Sequence, residues 1–123
     1  TSLAARVRAA NAWPADYFIS IHANANTDPV VNGTEVYVYR KYTQSYYLAQ
    51  HILSAIVNVV GTRDNGVRVN PSLYVLRRTN MPAVLVELAY MTNAGDAEKL
   101  ETMQPEFARG IYEGLLSYFG LDQ

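Results

Sequence analysis

Two residues in this sequence have types and settings suited to chemistry. His22 closes the apolar run Phe18-Ile19-Ser20-Ile21 and is followed by the polar residues Asn24 and Asn26. A metal-competent imidazole at the end of an apolar strand lies where α/β sheets build their sites. Glu87 interrupts the run Ala83-Val84-Leu85-Val86 before Leu88-Ala89-Tyr90, which otherwise reads as a strand buried on both faces. A carboxylate there needs a partner or a use, because burying it alone is expensive. The structural readings are a core histidine bonded to a backbone carbonyl and a glutamate paired with an arginine or with the next helix. The functional readings are a metal ligand and a proton-transferring carboxylate.

The elements that must position these residues follow from periodicity and punctuation. Leu3, Val7 and Ala10 make one stripe of a first helix ending near Asn11. Trp13-Pro14 and Ala15-Asp16 turn the chain, and Tyr17 to Ala23 form a strand on which His22 shares a face with Ser20 and Phe18. A polar loop from Asn24 to Asn32 closes at Gly33, and Thr34 to Arg40 form a second strand, with Glu35 near its start. Ser45 is the expected cap of a helix with the stripe Leu48, Ile52, Ala55, Ile56 and Val59, stopped by Gly61. Asp64-Asn65-Gly66 reads as a turn before Val67 to Val69, and Leu73 to Leu76 as a short extended piece. Met81-Pro82 opens the Glu87 strand. Asn93 to Asp96 read as a loop capping a helix from Ala97 to about Met103. Pro105 starts a last helix with the stripe Ala108, Ile111, Leu115 and Phe119, ending at Gly120. Strands separated by covering helices predict an α/β fold with a mostly parallel or mixed sheet.

Composition narrows the function. A chain of 123 residues, half of them hydrophobic, with no repeat or low-complexity linker, is expected to be one domain over residues 1–123. A net charge of −1 gives no footprint for nucleic acid, and no apolar run is long enough to predict membrane insertion. With no cysteine, thiolate metal sites, disulfides and a cysteine nucleophile are excluded. Ser20 and His22 two apart on a strand make no triad, and no Gly-x-Ser-x-Gly elbow occurs. The isolated glycines 33, 61, 66 and 95 have no phosphate-cradling spacing. His51 falls within a helix and reads as a surface or boundary residue. Tyr37, Tyr39, Tyr42, Tyr46 and Tyr47 cluster around the second strand and its helix, to line a groove or, the favoured reading, to pack the sheet.

Five blocks in order carry a family resemblance: LAARVRAAN at 3–11, FISIHANAN at 18–26, NGTEVYVY at 32–39, LYVLRRTNMPAVLVELAYMTNAGDAEKL at 73–100 and FARGIYEGLLSYF at 107–119. The chain resembles the zinc-dependent N-acetylmuramoyl-L-alanine amidases, the amidase-3 family of bacterial cell-wall hydrolases, from Leu3 to Phe119. The resemblance implies a Zn2+ cofactor, peptidoglycan as substrate and action outside the cell, in the cell wall or periplasm. A monomer is expected. It also implies that His22 is a metal ligand and Glu87 the catalytic base, on one face and close enough to share one metal-bound water. Asn24 could orient substrate or the ligand loop, with a plain turn role at least as natural. Glu35 aligns with a glutamate frequent in the family's second strand and receives no chemical step. Arg77 and Arg78 could meet stem-peptide carboxylates, or be solvated surface.

The family's other two ligands, a histidine in a Gly-His-Gly-Gly strand and a glutamate in the helix after it, have no counterpart in this sequence. One histidine cannot hold catalytic zinc, which uses three protein ligands. The expectation is therefore a fold incomplete at its N-terminus, with a preceding part before Thr1 that supplies both. The alternatives are a peptidoglycan-binding remnant without metal, or an inert fragment.

Overall fold

The computed structural model describes residues 2–122, so Thr1 and Gln123 lie outside the description. The element order is α1 (Leu3–Ala12), β1 (Phe18–Asn24), β2 (Thr34–Val38), α2 (Gln44–Val60), β3 (Asp64–Val69), α3 (Tyr74–Arg77), β4 (Ala83–Tyr90), α4 (Ala94–Thr102) and α5 (Gln104–Tyr118). The strands form one sheet in the order β1-β4-β2-β3. β1 pairs with β4, and β2 with β3, in parallel, while β2 and β4 run antiparallel. The expected α/β class with a mixed sheet is what forms.

Alternation along the strands divides the sheet into two unequal faces. Val36, Val38, Val84 and Val86 pack under Leu48, Ile52 and Ile56 of α2 and Phe107 of α5, which makes the main core. The opposite face carries a smaller core in which Val7 of α1 and Val75 and Leu76 of α3 cover Phe18, Tyr37, Ala83 and Leu85. His22 and Glu87 belong to this second face, beyond the end of that small core.

Local departures from the sequence expectation have local causes. Thr43, not Ser45, caps α2 by accepting a hydrogen bond from Tyr46 N–H, while Ser45 Oγ accepts one from Ala83 N–H and ties the helix to β4. Asp64-Asn65-Gly66 is not a turn but the start of β3, where Gly66 at φ 86° accompanies a register shift between Thr34 and Val36 of β2. Such a bulge bends the strand and re-aims its side chains. Tyr74–Arg77 is a short helix instead of an extended piece, burying Val75 and Leu76 together on one side. The cap of α4 is Asn93, so that helix begins at Ala94 and not at Ala97.

The inward stripe of α5 also differs. Ile111 and Leu115 pack against the main core as the stripe predicts, but Ala108 and Phe119 are exposed, and the buried positions are Phe107, Gly110 and Gly114. The reason is a backbone-to-backbone approach to α2. A Cβ at Gly114 would stand 2.6 Å from Ile52 Cα, and one at Gly110 would stand 2.8 Å from Ile56 Cα. The absent side chains let the helices close, a contact that an apolar stripe cannot reveal.

Gly110→Ala and Gly114→Ala should each lower stability by about 1–3 kcal/mol through overpacking. Gly95→Ala, whose Cβ would meet nothing nearer than Asn93 Oδ1 at 3.5 Å in α4, should be neutral or slightly stabilising. Urea midpoints of the three variants check this, and equal effects at all three sites would remove the close-approach argument.

Candidate active site

The sheet places three ionisable side chains in one row. His22 of β1 is the register partner of Glu87 of β4, and Glu87 is in turn the register partner of Glu35 of β2. Paired positions point to the same face of a sheet, so the imidazole and the two carboxylates stand side by side across three neighbouring strands. His22 and Glu87 are thus brought together on one face. Glu35 joins them, which chain order alone could not foretell.

The two carboxylates are treated very differently. Glu35 is fully buried and saturated with donors. Tyr37 Oη donates to Oε2 at 2.6 Å, Arg68 Nη1 to Oε2 at 3.0 Å, Tyr90 Oη to Oε1 at 2.9 Å and Asn65 Nδ2 to Oε1 at 3.2 Å. Burial and the bond to Glu35 push the Tyr90 phenol up to about 12. The bulge at Gly66 is what brings Asn65 and Arg68 of β3 within reach of Glu35 on β2. Glu87 has no such shell, and its Oε1 is buried without a hydrogen-bond partner among the described residues. Desolvation, then the neighbouring Glu35 charge, pushes its carboxyl up to about 7. A carboxyl that titrates near neutrality is suited to take and return protons.

His22 is held by its own strand, since its Nε2 and Ser20 Oγ share a hydrogen bond of 2.6 Å. Burial, then the Arg6 guanidinium on α1, lowers its pKa below 6.5, which keeps the ring neutral at pH 7 with a lone pair to offer. That is the state a metal ligand requires. The donor chemistry therefore suits zinc, but the donor number does not. Among the described residues no group of three or more His, Asp or Glu side chains is gathered closely enough to hold a metal ion.

The remaining candidates fall away from this row. His51 Nδ1 bonds Ser117 Oγ at 2.7 Å between α2 and α5, with its ring edge-on to Tyr118. Asn24 Oδ1 accepts from Ala25 N–H, a local turn contact. Arg77 and Arg78 are exposed at the end of α3, and Arg77 lines a cavity near Ala83, at the opposite end of β4 from Glu87. Of the tyrosines, Tyr37 bonds Glu35, whereas Tyr42, Tyr46 and Tyr47 stack edge to face on one another outside the sheet.

Asp96 is a residue whose weight the sequence did not disclose. Buried at the start of α4, its Oδ2 accepts from Gly33 N–H at 2.8 Å and Tyr90 N–H at 2.9 Å. It pins the entry of β2 to the exit of β4 beside the row. An acid three residues after the cap Asn93 was the available signal.

Residues 1–117 match the family described as Amidase_3: N-acetylmuramoyl-L-alanine amidase. The chain is 42% identical over 122 residues to N-acetylmuramoyl-L-alanine amidase LytC of Bacillus subtilis strain 168, covering 96% of this chain and 24% of that protein. It is similar in structure to the N-acetylmuramoyl-L-alanine amidase of Clostridium difficile 630, with TM-score 0.90 and 38% identity over all of this chain and 68% of that one. The catalytic domain of the amidase CwlV from Paenibacillus polymyxa var. colistinus gives TM-score 0.88 and 35% identity over 99% of this chain and 68% of that one. The chain thus spans about a quarter of LytC and two thirds of each solved amidase chain.

The Glu87 environment makes stability depend on pH in a defined direction. Its carboxyl titrates at about 7 in the fold against 4.5 ordinarily, so between those values the folded state holds a proton that the unfolded chain has released. The stability contributed is complete below pH 4.5 and is lost as pH rises through 7. Glu87→Gln, a mimic of the protonated form, should raise the melting temperature at pH 8, with the gain fading as pH falls towards 4.5. Thermal melts of both proteins across that range, without metal, check this. A gain that is the same at pH 4 and pH 8 would contradict the assigned environment.

Proposed function

The chain belongs to the Amidase_3 family of N-acetylmuramoyl-L-alanine amidases, and from that premise we propose that it is part of a peptidoglycan hydrolase. The bond cut is the amide joining the lactyl group of N-acetylmuramic acid to the L-alanine that begins the stem peptide. The observation that carries this reading is Glu87, a half-buried carboxyl whose Oε1 is buried without a partner among the described residues, set beside a histidine of lowered pKa at the end of a parallel strand pair. A purely structural carboxylate would be expected to look like Glu35, with every lone pair engaged.

In this reading His22 is one zinc ligand, and the others come from residues outside these 123. Zinc, when bound, supplies the positive charge that polarises the scissile carbonyl and acidifies water. Glu87 takes the proton from the attacking water and delivers it to the leaving nitrogen of L-alanine, which departs as a free amine. The Glu35 cluster fixes the neighbouring strand without competing for that proton, because its acceptors are already occupied. The place for further ligands is the outer edge of β1, the end strand of the sheet. There Ile21, 52% exposed, and Trp13, 82% exposed, border an apolar groove with Phe18 and Ile19.

The cell wall is the expected place of action, since the substrate is its polymer. No helix among the described residues is long and apolar enough to cross a membrane. The second reading, a peptidoglycan-binding remnant or inert fragment, draws on one observation, the shortage of metal donors within this chain.

Two measurements separate these readings. Zinc titration of the 123-residue chain at neutral pH should show weak binding or none, because two of three ligands are absent; tight one-to-one binding abolished by His22→Ala would mean that a complete set lies within it. In the full domain, Glu87→Gln should keep its zinc and lose amide cleavage by at least about a hundredfold, while His22→Ala should lose both. The readout is release of stem peptides with a free L-alanine amino terminus from purified peptidoglycan, with metal analysis of each variant. Near-full activity of Glu87→Gln would remove the base from the mechanism.

A further inference from the structure

Arg68 is placed in a way that salt-bridging Glu35 does not exhaust. Its Nη1 bonds Glu35 Oε2 at 3.0 Å and its Nε bonds Asn65 O at 3.4 Å, while Nη2 makes no hydrogen bond among the described residues. The carboxylate end of this pair is 1% exposed and the arginine side chain 46% exposed. Together with Arg63, Asn26, Asn32, Asn65 and Tyr90, Arg68 lines an open pocket of about 310 Å³. No acidic side chain lines it; Glu35 lies beneath and is already neutralised by Arg68 itself. A guanidinium pinned from below with its outer nitrogen free is organised for a second anion, and the ordering cost of fixing it is already met within the fold.

We infer that Arg68, with Arg63 beside it, forms a subsite for a carboxylate of the stem peptide about three residues beyond the bond that is cut. This deepens the amidase reading and rests on it. The spacing follows from the sheet. Glu87 on β4 faces Glu35 on β2, and Arg68 on β3, whose register partner is Tyr37, reaches back two positions to bond Glu35. Its guanidinium therefore lies about two strand intervals from Glu87, roughly 10 Å at about 4.8 Å each, and an extended peptide advances about 3.3 Å per residue. A substrate amide held at Glu87 and running across the strand ends therefore brings its third residue to Arg68. Arg77 and Arg78, the arginines that the sequence offered for this task, stand at the other end of β4.

The test is binding, so that it can fail without the hydrolysis assay failing. Two probes are used, an N-acetylmuramoyl tripeptide beginning with L-alanine and ending in a free carboxylate, and its C-terminal carboxamide twin. Each is titrated into the isotopically labelled chain while the Arg68 Nε–H resonance is followed by NMR. The free acid should bind about tenfold or more tightly than the amide, and move that resonance. Arg68→Gln should abolish the difference, whereas Arg63→Gln should only reduce it. Because Arg68→Gln leaves Glu35 buried without its counter-charge, the double variant Glu35→Gln/Arg68→Gln carries the same test in a fold relieved of that charge. Loss of the acid–amide difference in both variants supports the subsite; a purely structural Arg68 would leave it unchanged. Equal affinity of the two probes for the unaltered chain, a difference that survives both variants, or no binding of either probe each overturns it. Cleavage by the full domain still judges the amidase reading separately.

Discussion

Two carboxylates on adjacent strands cannot both be charged cheaply in a poorly solvated setting, and the architecture of the site follows from how that conflict is resolved. Glu35 and Glu87 are register partners across β2 and β4. The donors go to one of them. Two phenols, one amide and one guanidinium surround Glu35, while Glu87 keeps an unpartnered oxygen and a carboxyl pushed up to about 7. The asymmetry gives the pair distinct tasks, one a fixed charge and the other an adjustable proton carrier. His22 on the far side of Glu87 makes no ion pair among the described residues, and burial, then Arg6, lowers its pKa.

The fold serves that asymmetry by separating rigidity from access. One face of the sheet is sealed by α2 and α5, whose glycine-mediated approach builds the larger core. The other is covered only in part, by α1 and α3, so the partly exposed His22 and Glu87 lie past the edge of the packed region, with Glu35 buried beside them. Asp96 then clips the ends of β2 and β4 together through two backbone amides. That adds a polar clip, at the strand ends, to the apolar core that holds the two carboxylate strands on the α2 face.

What the sequence disclosed, it disclosed through contrast within a strand. His22 and Glu87 were legible because each is a polar residue among apolar neighbours, and Glu35 has the same character next to Val36. Its meaning was hidden because it depends on strand order, since β2 meets β4 rather than β1. The Asp64-Asn65-Gly66 segment has ideal turn chemistry and lies in a strand all the same, because Gly66 provides the positive φ of a bulge as readily as that of a turn. The stripe of α5 is half legible, in Ile111 and Leu115 against the core, and the rest is hidden for a related reason. Apolar periodicity marks burial by side chains, whereas Gly110 and Gly114 are buried by having none.

The Glu35 cluster also shows why fold and site are hard to separate here. Its donors come from residues 2, 30, 33 and 55 positions away in the chain, three of them from strands other than its own or from the exit of β4. Until β2, β3 and β4 have all assembled, Glu35 has at most Tyr37 to bond, and burying it is unfavourable. Antiparallel pairing of β2 with β4 therefore gains its full value only once β3 has docked in parallel on the other side of β2 and its bulge has delivered Asn65 and Arg68. The central position of β2 meets this requirement, because that strand takes one carboxylate to Glu87 and receives its counter-charge from the opposite edge. The polar row thus acts as a register lock: shifting β2 by one residue would turn Glu35 into the valine core and leave Arg68 without its carboxylate.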